Sequence, residues 1–511
     1  MYNIIRMPDV FRIITEAGTV SDARLNCKVT DGSLSVSLTA KNDLPKYVRL
    51  RWRLKTEGSV RLLGDAWERG YGDLEWRGIA PERAMPWYFL LSAGDKTFCF
   101  GVMTRPSAMC HWQFDREGIT LVLDVRNGGR GVWLDGRTLE AASVVYREYS
   151  GISRFEAARR FCSVMSPVPI LPEKPVYGGN NWYYAYGNSS RREILDDSRF
   201  IAGISDGLEN RPFMIIDDGW SPNACCGPWD SGNQRFPDMP ALMSEMRELG
   251  VRPGLWIRPL TDARRDIPEE CFLRGEKGRL DPTHPYTLNY ISDTVKRLSD
   301  WGSELLKYDF TSYDTTGIWG KDAFRGFVPD GETWEFYDRG VTTAEALRVL
   351  YETIYGSAGK MLLLGCNCVN HLCAGYVHIN RVGDDTSGRQ WERTRFMGIN
   401  SLAFRLPQDK SFFAADADCV GITADVPWGL NSKWLDLLSR SGTPLFVSCD
   451  RNCADSGVKA ALREAFARAS VGGDILEPLD WEYNTCPAVW KHNGNIIQYD
   501  FMEETGVGKL V

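Results

Sequence analysis

The 511-residue chain contains no apolar run near the roughly 18 to 20 residues that span a bilayer. Its first residues also lack the apolar core of a signal peptide, so we expect a soluble, cytoplasmic protein. The net charge is -7 and the basic residues are scattered, which argues against nucleic acid and membranes as partners. No Gly-x-Gly-x-x-Gly loop follows an apolar strand segment, so nothing indicates a bound dinucleotide.

Paired Cys-x-x-Cys spacing, the usual sign of structural zinc, is also missing. The chain has 14 cysteines, and several, such as Cys99 and Cys162, lie inside apolar runs. We interpret them as reduced, buried thiols. One group could be taken for a zinc cluster, although its spacing does not favour one: Cys366, Cys368, His371, Cys373 and His378. We expect neither a metal nor an organic cofactor.

The composition is that of a globular protein, with 43% hydrophobic and 25% charged residues. Because single cores stop growing near roughly 250 to 300 residues, this length predicts two or three domains. The chain has 18 Trp and 12% aromatic residues. Sugar-binding proteins stack pyranose rings on such side chains, but large cores use them too, so the count favours neither interpretation.

The sequence pattern of residues 1–166 predicts an N-terminal β-sandwich domain. Segments 33–40, 47–54, 97–103 and 119–125 alternate between apolar and polar residues and are separated by turn residues. Segment 63–76 is too rich in Gly and Trp for a regular strand. It is either a loop packed on the sandwich or a loop that reaches over a neighbouring active site. A helical pattern at 152–165 and a proline-rich linker mark the end of this domain.

Residues 167–470 predict a catalytic domain of the α/β class, a (β/α)8 TIM barrel. Apolar strand segments recur with helical patterns after most of them, over about the length of such a barrel. The predicted strands are 176–184, 212–218, 252–258, 304–310, 361–367, 376–382, 412–418 and 444–448. A doubly wound open sheet is the competing architecture. Residues 471–511 predict a small C-terminal β element, in which Asn493 and Gly494 form a hairpin turn.

Polar residues accumulate where these strands end, which is the edge of a barrel that carries its chemistry. A single Asp there could be a helix cap, but so many polar strand ends indicate a cleft that binds a polar ligand. The principal ones are Trp182, Asp217, Asp218, Trp220, Trp256, Arg258, Lys307, Asp309, Asn367, Arg381, Asp384 and Asp385.

Two carboxylates across a polar ligand, with aromatic walls and no cofactor motif, suggest glycoside hydrolysis. In the retaining form one ionised carboxylate is the nucleophile and the other donates a proton, at a separation of roughly 5 to 5.5 Å. Lys307 lies two residues before Asp309 on the same strand face, where its charge would keep Asp309 ionised. Arg381 could orient a substrate from the opposite side.

Three motifs occur in order on the second, fourth and sixth predicted strands: IIDDGW at 215–220, LLKYDF at 305–310 and RVGDD at 381–385. Together they resemble glycoside hydrolase clan D, the α-galactosidase families 27 and 36. The resemblance covers the barrel, and the flanking β regions resemble family 36 more than family 27. It implies a retaining α-galactosidase that acts on an oligosaccharide or glycoside.

The resemblance also implies residue roles. Asp309 is the nucleophile and Asp385 the acid/base, although a Ser-Asp-Asp type of alignment would select Asp384 instead. Lys307 and Arg381 would bind sugar hydroxyls, and Asp217 and Asp218 would bind the 4- and 6-hydroxyls. Walls and further contacts would come from Trp182, Trp220, Trp256 and Asn367.

The chain also departs from the family pattern. Trp256-Ile257-Arg258-Pro259 stands where many family 36 enzymes have Trp-x-Glu-Pro, and the Cys-x-x-Gly-Gly-Gly run is absent near Asn367. Arg258 could face an anionic group or form a structural salt bridge with a nearby Asp. The alternatives are a raffinose synthase-like transglycosylase, an enzyme for α-N-acetylgalactosaminides or β-L-arabinopyranosides, and a non-catalytic carbohydrate-binding protein. A homo-oligomer is compatible with the sequence.

Overall fold

The computed structural model describes residues 2–264, 266–275, 278–318, 327–329, 331–473, 476–503 and 506. Parts of the predicted C-terminal β element, at 474–475, 504–505 and 507–511, lie outside the described residues. Across the described ranges, no helix is both long enough and apolar enough to cross a membrane.

The N-terminal region forms two antiparallel sheets. Its strands are β1 (Val10–Thr15), β2 (Arg24–Thr30), β3 (Ser33–Thr39), β4 (Pro45–Arg53), β5 (Arg61–Gly64), β6 (Met85–Pro86), β7 (Tyr88–Ala93), β8 (Lys96–Val102), β9 (Met109–Asp115), β10 (Gly118–Asp124) and β11 (Thr138–Ser150). Within the described residues, one sheet has the order β1-β4-β10-β9-β6 and the other β2-β3-β11-β8-β7-β5. Each segment that the alternating pattern predicted overlaps an observed strand.

Strand β4 illustrates why the alternation produces a sheet. Val48, Leu50 and Trp52 are fully buried, whereas Arg49 and Arg53 between and after them are exposed. Successive side chains of a strand point to opposite faces, so this alternation gives the sheet one apolar face to pack. Closure of the two sheets as a sandwich stays a prediction.

Helix α1 (Arg154–Met165) follows the second sheet, as the helical spacing predicted. The Ser153 side chain caps it by accepting a hydrogen bond from the Glu156 backbone N–H at 3.1 Å. Phe155 and Phe161 are buried on its inner face. The proline-rich stretch after it leads into the first parallel strand.

The middle of the chain forms a parallel sheet. Its strands are β12 (Tyr177–Asn180), β13 (Phe213–Ile216), β14 (Arg252–Ile257), β15 (Leu305–Tyr308), β16 (Leu362–Gly365), β17 (Ile379–Arg381), β18 (Ala414–Asp416), β19 (Cys419–Ile422) and β20 (Leu445–Cys449). Their order in the described part of the chain is β18-β17-β16-β15-β14-β13-β12-β20-β19. Every predicted strand segment overlaps one of these strands.

The two edge strands of this order, β18 and β19, are consecutive in sequence. Only Ala417 and Asp418 separate them, and Asp418 has a positive φ of 76°. The first half of this segment pairs with β17 and the second half with β20, so the sheet curves around to the same stretch of chain. The result is a TIM-like domain, whereas a regular repeat of eight strand and helix units stays a prediction.

Helices follow most of the parallel strands. They are α2 (Trp182–Ala185), α3 (Arg191–Ile204), α4 (Met239–Glu248), α5 (Pro285–Asp300), α6 (Thr311–Thr316), α7 (Thr343–Ser357), α8 (Asn370–Cys373), α9 (Trp391–Arg393), α10 (Ser401–Arg405), α11 (Trp428–Arg440) and α12 (Ser456–Val471). Single turns of 3-10 helix lie at Ala224–Cys226, Glu269–Cys271, Leu273–Gly275, Leu406–Gln408 and Arg451–Cys453, and a π-helical segment at Thr394–Asn400. The Thr342 side chain and Glu345 form a reciprocal capping box at the start of α7.

A small sheet ends the described chain, with β21 (Leu476–Pro478), β22 (Val489–His492) and β23 (Asn495–Gln498) paired antiparallel. Asn493 and Gly494 connect β22 to β23 with φ values of 50° and 81°. Positive φ at both turn residues is the type I′ geometry that suits a right-handed hairpin, so the Asn-Gly prediction is confirmed.

Candidate active site

Asp309 lies directly after β15, at the carboxyl end of the parallel sheet. Its Oδ2 accepts a hydrogen bond from the Trp256 indole Nε1 at 3.2 Å, and its Oδ1 accepts one from the Phe310 backbone N–H at 2.7 Å. Phe310 has a positive φ of 63°, which turns the chain from the strand into helix α6. The two hydrogen bonds fix the orientation of the carboxylate toward the mouth of the barrel.

Lys307 has a different direct partner from the one its spacing suggested. Its Nζ lies 2.7 Å from Asp217 Oδ2, which also accepts a hydrogen bond from Asn180 Nδ2 at 2.6 Å. Burial is the largest influence on Lys307 and lowers the pKa of its ammonium group. The charges around it, Asp217 first and Asp309 to a smaller extent, together outweigh burial and raise the pKa. Lys307 therefore forms its ion pair with Asp217, and an influence of its charge on the ionisation of Asp309 stays a prediction.

Asp218 is the carboxylate of this group with unused hydrogen-bonding capacity. Its Oδ1 is buried and has no hydrogen-bond partner among the described residues. Burial, followed by the negative charges of Asp217 and Asp309, raises the pKa of Asp218 to about 6. A buried acceptor without a partner costs free energy.

Arg381, Asp384 and Asp385 form the opposite side of the site, at and beyond the end of β17. Arg381 Nη2 lies 2.9 Å from Asp385 Oδ1, and the same nitrogen pairs with Asp418. Asp384 instead pairs with Arg393 at 2.9 Å. The side chain of Asp385 is 42% exposed and that of Asp384 is 19% exposed, so Asp385 is the more accessible of the two.

Nearby cations lower the pKa of the Asp385 carboxyl group. Burial is the largest influence and raises the pKa of this carboxyl group. The charges of Arg381, Arg69, Lys307 and Arg393 together outweigh burial, so the pKa lies below its usual range. The carboxyl group therefore carries a negative charge near neutral pH in the free protein.

Arg69 comes from the N-terminal region, and the sequence-based site did not include it. Its Nη2 lies 2.9 Å from Asp384 Oδ1, and its Nη1 lies 3.5 Å from Asp385 Oδ1. The Gly70 backbone N–H donates to the Val382 carbonyl, and the Asp384 N–H donates to the Gly70 carbonyl, each at 2.8 Å. Segment 63–76 thus reaches the site of its own chain; its Gly and Trp content had signalled a special loop but not which site it meets.

The three tryptophans of the predicted site have different surroundings. Trp256 is 2% exposed and binds Asp309. Trp220 has no exposed surface; its Nε1 donates to the Trp256 carbonyl at 2.8 Å, and its ring packs against Trp229. Trp182 is partly exposed and packs against Tyr186. Trp220 supports Trp256 from the core, which corrects its expected place in the pocket wall.

Arg258 forms the structural salt bridge that was one of its two expected states. Its Nε lies 2.7 Å from Asp314 Oδ2, and its Nη2 binds the other carboxylate oxygen of Asp314. Its guanidinium also lies 4.4 Å from the centre of the Phe310 ring. The Arg258 guanidinium already forms a bidentate ion pair with Asp314, so its charge is compensated without an anionic substrate group.

The cysteines and histidines at 366–378, considered above as a possible zinc cluster, have other contacts. His371 stacks on Trp87 and its Nε2 bonds to the Val102 carbonyl at 2.7 Å, whereas His378 Nδ1 accepts from the Leu363 N–H. Cys366 lies beside Arg381. Over the described residues, no set of three or more His, Cys, Asp or Glu side chains is arranged to hold a metal ion.

A cavity of about 180 Å³ joins the two sides of the site. It is lined by Arg69, Tyr71, Asp309, Phe310, Asn367, Asp384 and Asp385. Of the sequence-predicted residues, it brings Asp309, Asn367, Asp384 and Asp385 together. The other sequence-predicted residues are not part of this lining: Trp182, Asp217, Asp218, Trp220, Trp256, Arg258, Lys307 and Arg381. Drug-sized ligands occupy cavities of roughly 300 to 1,000 Å³, so this one suits a small polar ligand.

The comparisons with known proteins concern mainly the fold. No protein-family model matches the chain. A segment of 194 residues is 24% identical to an uncharacterized family 31 glucosidase, ORF2, of Pseudescherichia vulneris. That match spans only about a third of each protein, 32% of this chain and 35% of the glucosidase.

Solved structures match over almost the whole chain. The α-galactosidase TtGalA from Thermus thermophilus, in complex with p-nitrophenyl α-D-galactopyranoside, has 17% identity and a TM-score of 0.64, covering 93% of this chain and 96% of that one. The GH36 α-galactosidase AgaA from Geobacillus stearothermophilus has 14% identity and a TM-score of 0.60, covering 94% and 78%. At these identities the likeness establishes a common fold.

Proposed function

We propose that this chain is a retaining glycoside hydrolase that removes terminal α-galactosyl groups from oligosaccharides or glycosides. The observation that carries the proposal is that Asp309 and Asp385, on separate strand ends, line one small cavity. The fold shared with α-galactosidases supports it, as does the order of the three strand-end motifs. We also propose the division into domains 1–166, 167–470 and 471–511.

In the first step, an oxygen of Asp309 attacks the anomeric carbon while the proton of Asp385 moves to the glycosidic oxygen. The bond to the leaving group breaks, and a covalent glycosyl ester of Asp309 forms. In the second step, Asp385 removes a proton from water, whose oxygen attacks the anomeric carbon and releases Asp309. Two inversions give net retention, and both carboxyl groups return to their starting states.

The sugar would be held on the side of Asp217 and Asp218. Asp217 is already occupied by Lys307 and Asn180, whereas Asp218 Oδ1 has no hydrogen-bond partner among the described residues, so we assign the sugar hydroxyl to Asp218. Asn367 lies at the end of β16, where it would meet the 2-substituent. Because Arg258 is paired with Asp314, we propose a neutral sugar in preference to an anionic one.

The depressed pKa of Asp385 has a consequence for this mechanism. A general acid must carry its proton when the leaving group departs, and the fraction of protonated Asp385 falls as the pH rises above its pKa. We therefore expect kcat/KM to decline on the basic side of an acidic optimum. Binding of a sugar that loosens the contact with Arg381 would raise the pKa and widen the active range.

The proposal is tested with p-nitrophenyl glycosides of α-galactose, α-N-acetylgalactosamine, β-L-arabinopyranose and α-glucose. We expect the largest kcat/KM for α-galactose, and ¹H NMR should show α-galactose as the first product anomer. Preferred turnover of another glycoside would replace the substrate but keep the class. Release of β-galactose first would exclude retention, and binding without turnover of any glycoside would exclude a hydrolase. With raffinose as donor, transfer products in excess of free galactose would favour a transglycosylase.

A further inference from the structure

Two adjacent residues of the N-terminal region, Glu68 and Arg69, contact opposite sides of the cavity. We call this pair the Glu68–Arg69 bridge. Both side chains are buried, with 0% of Glu68 and 3% of Arg69 exposed. Their segment belongs to neither predicted catalytic strand, yet both residues meet groups next to the proposed catalytic carboxylates.

Glu68 contacts the side of the site that carries Asp309. One of its carboxylate oxygens, Oε2, accepts a hydrogen bond from Ser312 Oγ, three residues after Asp309 in helix α6. The other, Oε1, accepts from Asn367 Nδ2 at 3.3 Å and from the Tyr71 hydroxyl. Glu68 thus joins the ends of β15 and β16 through charge-assisted hydrogen bonds, which are stronger than neutral ones.

Arg69 contacts the side that carries Asp385. Its two terminal nitrogens are divided between neighbouring carboxylates, Nη2 with Asp384 at 2.9 Å and Nη1 with Asp385 at 3.5 Å. The planar guanidinium holds the two carboxylates in a fixed relation, which a single ammonium group could not do.

The backbone of the bridge is itself anchored to the barrel. Gly70 pairs with Gly383 as an isolated parallel bridge. Arg405, which is fully buried, pairs with Asp65 at 2.8 Å and donates to the carbonyls of Ala66 and Glu68. Because the segment is tied down on both sides of the bridge, Glu68 and Arg69 have little freedom to move relative to the strand ends.

We propose that Glu68 and Arg69 are positioning residues, which set the separation and orientation of Asp309 and Asp385 from outside the barrel. This inference rests on the proposed function, in which those two carboxyl groups react. An error of about 1 Å in the position of a reacting group can cost roughly 100-fold in rate. The N-terminal region is therefore a part of the catalytic apparatus as well as a neighbour of it.

Arg69 also affects the protonation of Asp385, together with the charges that face this carboxyl group from other elements. Those groups are Arg381 and Lys307 on the barrel strands, Arg393 and Asp384 beyond β17, and Tyr183 and Asp418 beside Arg381. Removing Arg69 removes one cation from this set. The pKa of Asp385 then rises, and the basic limb of kcat/KM moves to higher pH.

The test compares Arg69→Met, Arg69→Lys and Glu68→Gln with Arg77→Met, a matched control in the same segment. Arg77 pairs with Glu75, and its side chain is 48% exposed. We expect kcat/KM for an α-galactoside to fall about 100-fold in Arg69→Met and less in Arg69→Lys, which keeps the charge but not the fork. Only Arg69→Met should move the basic limb upward strongly. Arg77→Met should stay within about twofold.

Crystal structures of the wild type, Arg69→Met and Arg69→Lys provide a readout that does not depend on turnover. We expect the Asp384 and Asp385 carboxylates to lose their single orientation in Arg69→Met. If the wild type is active and Arg69→Met keeps its rate, its pH limb and its carboxylate geometry, this inference fails and the proposed function stands. If the wild type cleaves no glycoside, the proposed function fails, and the crystal structures alone decide whether Arg69 positions the pair.

Discussion

The two sides of the candidate site are built differently. On the side of Asp309, the hydrogen bonds and ion pairs of the carboxylates come from within the barrel: Trp256 binds Asp309, and Lys307 binds Asp217. Glu68 of the N-terminal region reaches this side through Ser312 and Asn367. On the side of Asp385, one guanidinium comes from the barrel strand and another, Arg69, from the N-terminal region. The candidate nucleophile therefore has its direct hydrogen-bond partners within the barrel, whereas the candidate acid/base is itself in contact with a side chain from a distant part of the chain.

The largest effect should come from the side built within the barrel. We expect Asp309→Asn to reduce kcat by about 10⁴-fold or more, because the amide cannot form the glycosyl ester. Steady-state rates with p-nitrophenyl α-galactoside measure this loss. Asp293→Asn, an exposed site on α5, is the matched control and should keep the wild-type rate. An Asp309→Asn enzyme with more than about a tenth of the wild-type rate would remove Asp309 from the mechanism.

On the other side, Asp385→Asn and Asp384→Asn separate two neighbouring carboxyl groups. Loss of a general acid costs roughly 10² to 10⁴ in rate, and the cost is greatest for leaving groups that need a proton. We therefore expect Asp385→Asn to lose far more activity on raffinose than on the p-nitrophenyl glycoside.

The variant Asp384→Asn should lose less activity, by a similar factor on both substrates, because this residue is held by Arg69 and Arg393. The reverse pattern would assign the acid/base to Asp384.

The barrel side also has a structural ion pair whose loss should affect stability. Asp314 has no exposed side-chain surface, and Arg258 is its bidentate partner. Removing one member of a buried pair leaves an uncompensated charge, so Arg258→Met should lower the free energy of unfolding by about 3 kcal/mol. Urea unfolding measures this change.

The double variant Arg258→Met with Asp314→Leu is the companion measurement. It should recover much of the lost stability, since both charges are then absent. If Arg258→Met unfolds at the same urea concentration as the wild type, the ion pair of Arg258 and Asp314 does not contribute to the stability of the fold.

The smallest predicted effect concerns Asp218, whose pKa is raised to about 6 by burial and by Asp217. A carboxyl group with a raised pKa in the folded state favours folding when it is protonated. That contribution is complete below its unfolded pKa of about 3.9 and is lost as the pH rises through about 6. Asp218→Asn should therefore be more stable than the wild type by about 2 kcal/mol at pH 7.5 and nearly equal to it at pH 4.

Urea unfolding at both pH values checks this prediction, and KM for the α-galactoside should rise in the same variant. A difference in unfolding free energy between wild type and variant that does not change with pH would show that the pKa of Asp218 is not raised in the folded protein. Asp300→Asn at a surface position provides the control.

The sequence predicted the fold more fully than the site. Each predicted apolar segment of the middle region overlaps an observed parallel strand. A strand buried in such a sheet needs a run of apolar residues, such as Leu305 and Leu306, whatever its neighbours are. The split between β18 and β19 was not predicted. The chain breaks between these two strands at Asp418, which has a positive φ. An Asp can adopt this conformation, but its presence in a sequence does not predict it.

Within the site, the sequence identified carboxylates but did not determine all of their direct partners. Lys307 pairs with Asp217 because the two strand ends bring their side chains within 2.7 Å, whereas spacing along one strand had suggested Asp309. Trp220 is turned into the core by its hydrogen bond to the Trp256 carbonyl. Such choices depend on the geometry across strands, which spacing along the chain does not contain.

By itself, the sequence determined which segments become strands and which of their ends carry carboxylates, because burial and periodicity act over a few residues. The tertiary structure alone decided that Arg69 reaches Asp384 and Asp385, about 300 positions away in the chain. An ion pair of this kind depends on how two regions far apart in the sequence pack together, and neither region's local pattern encodes the position of the other.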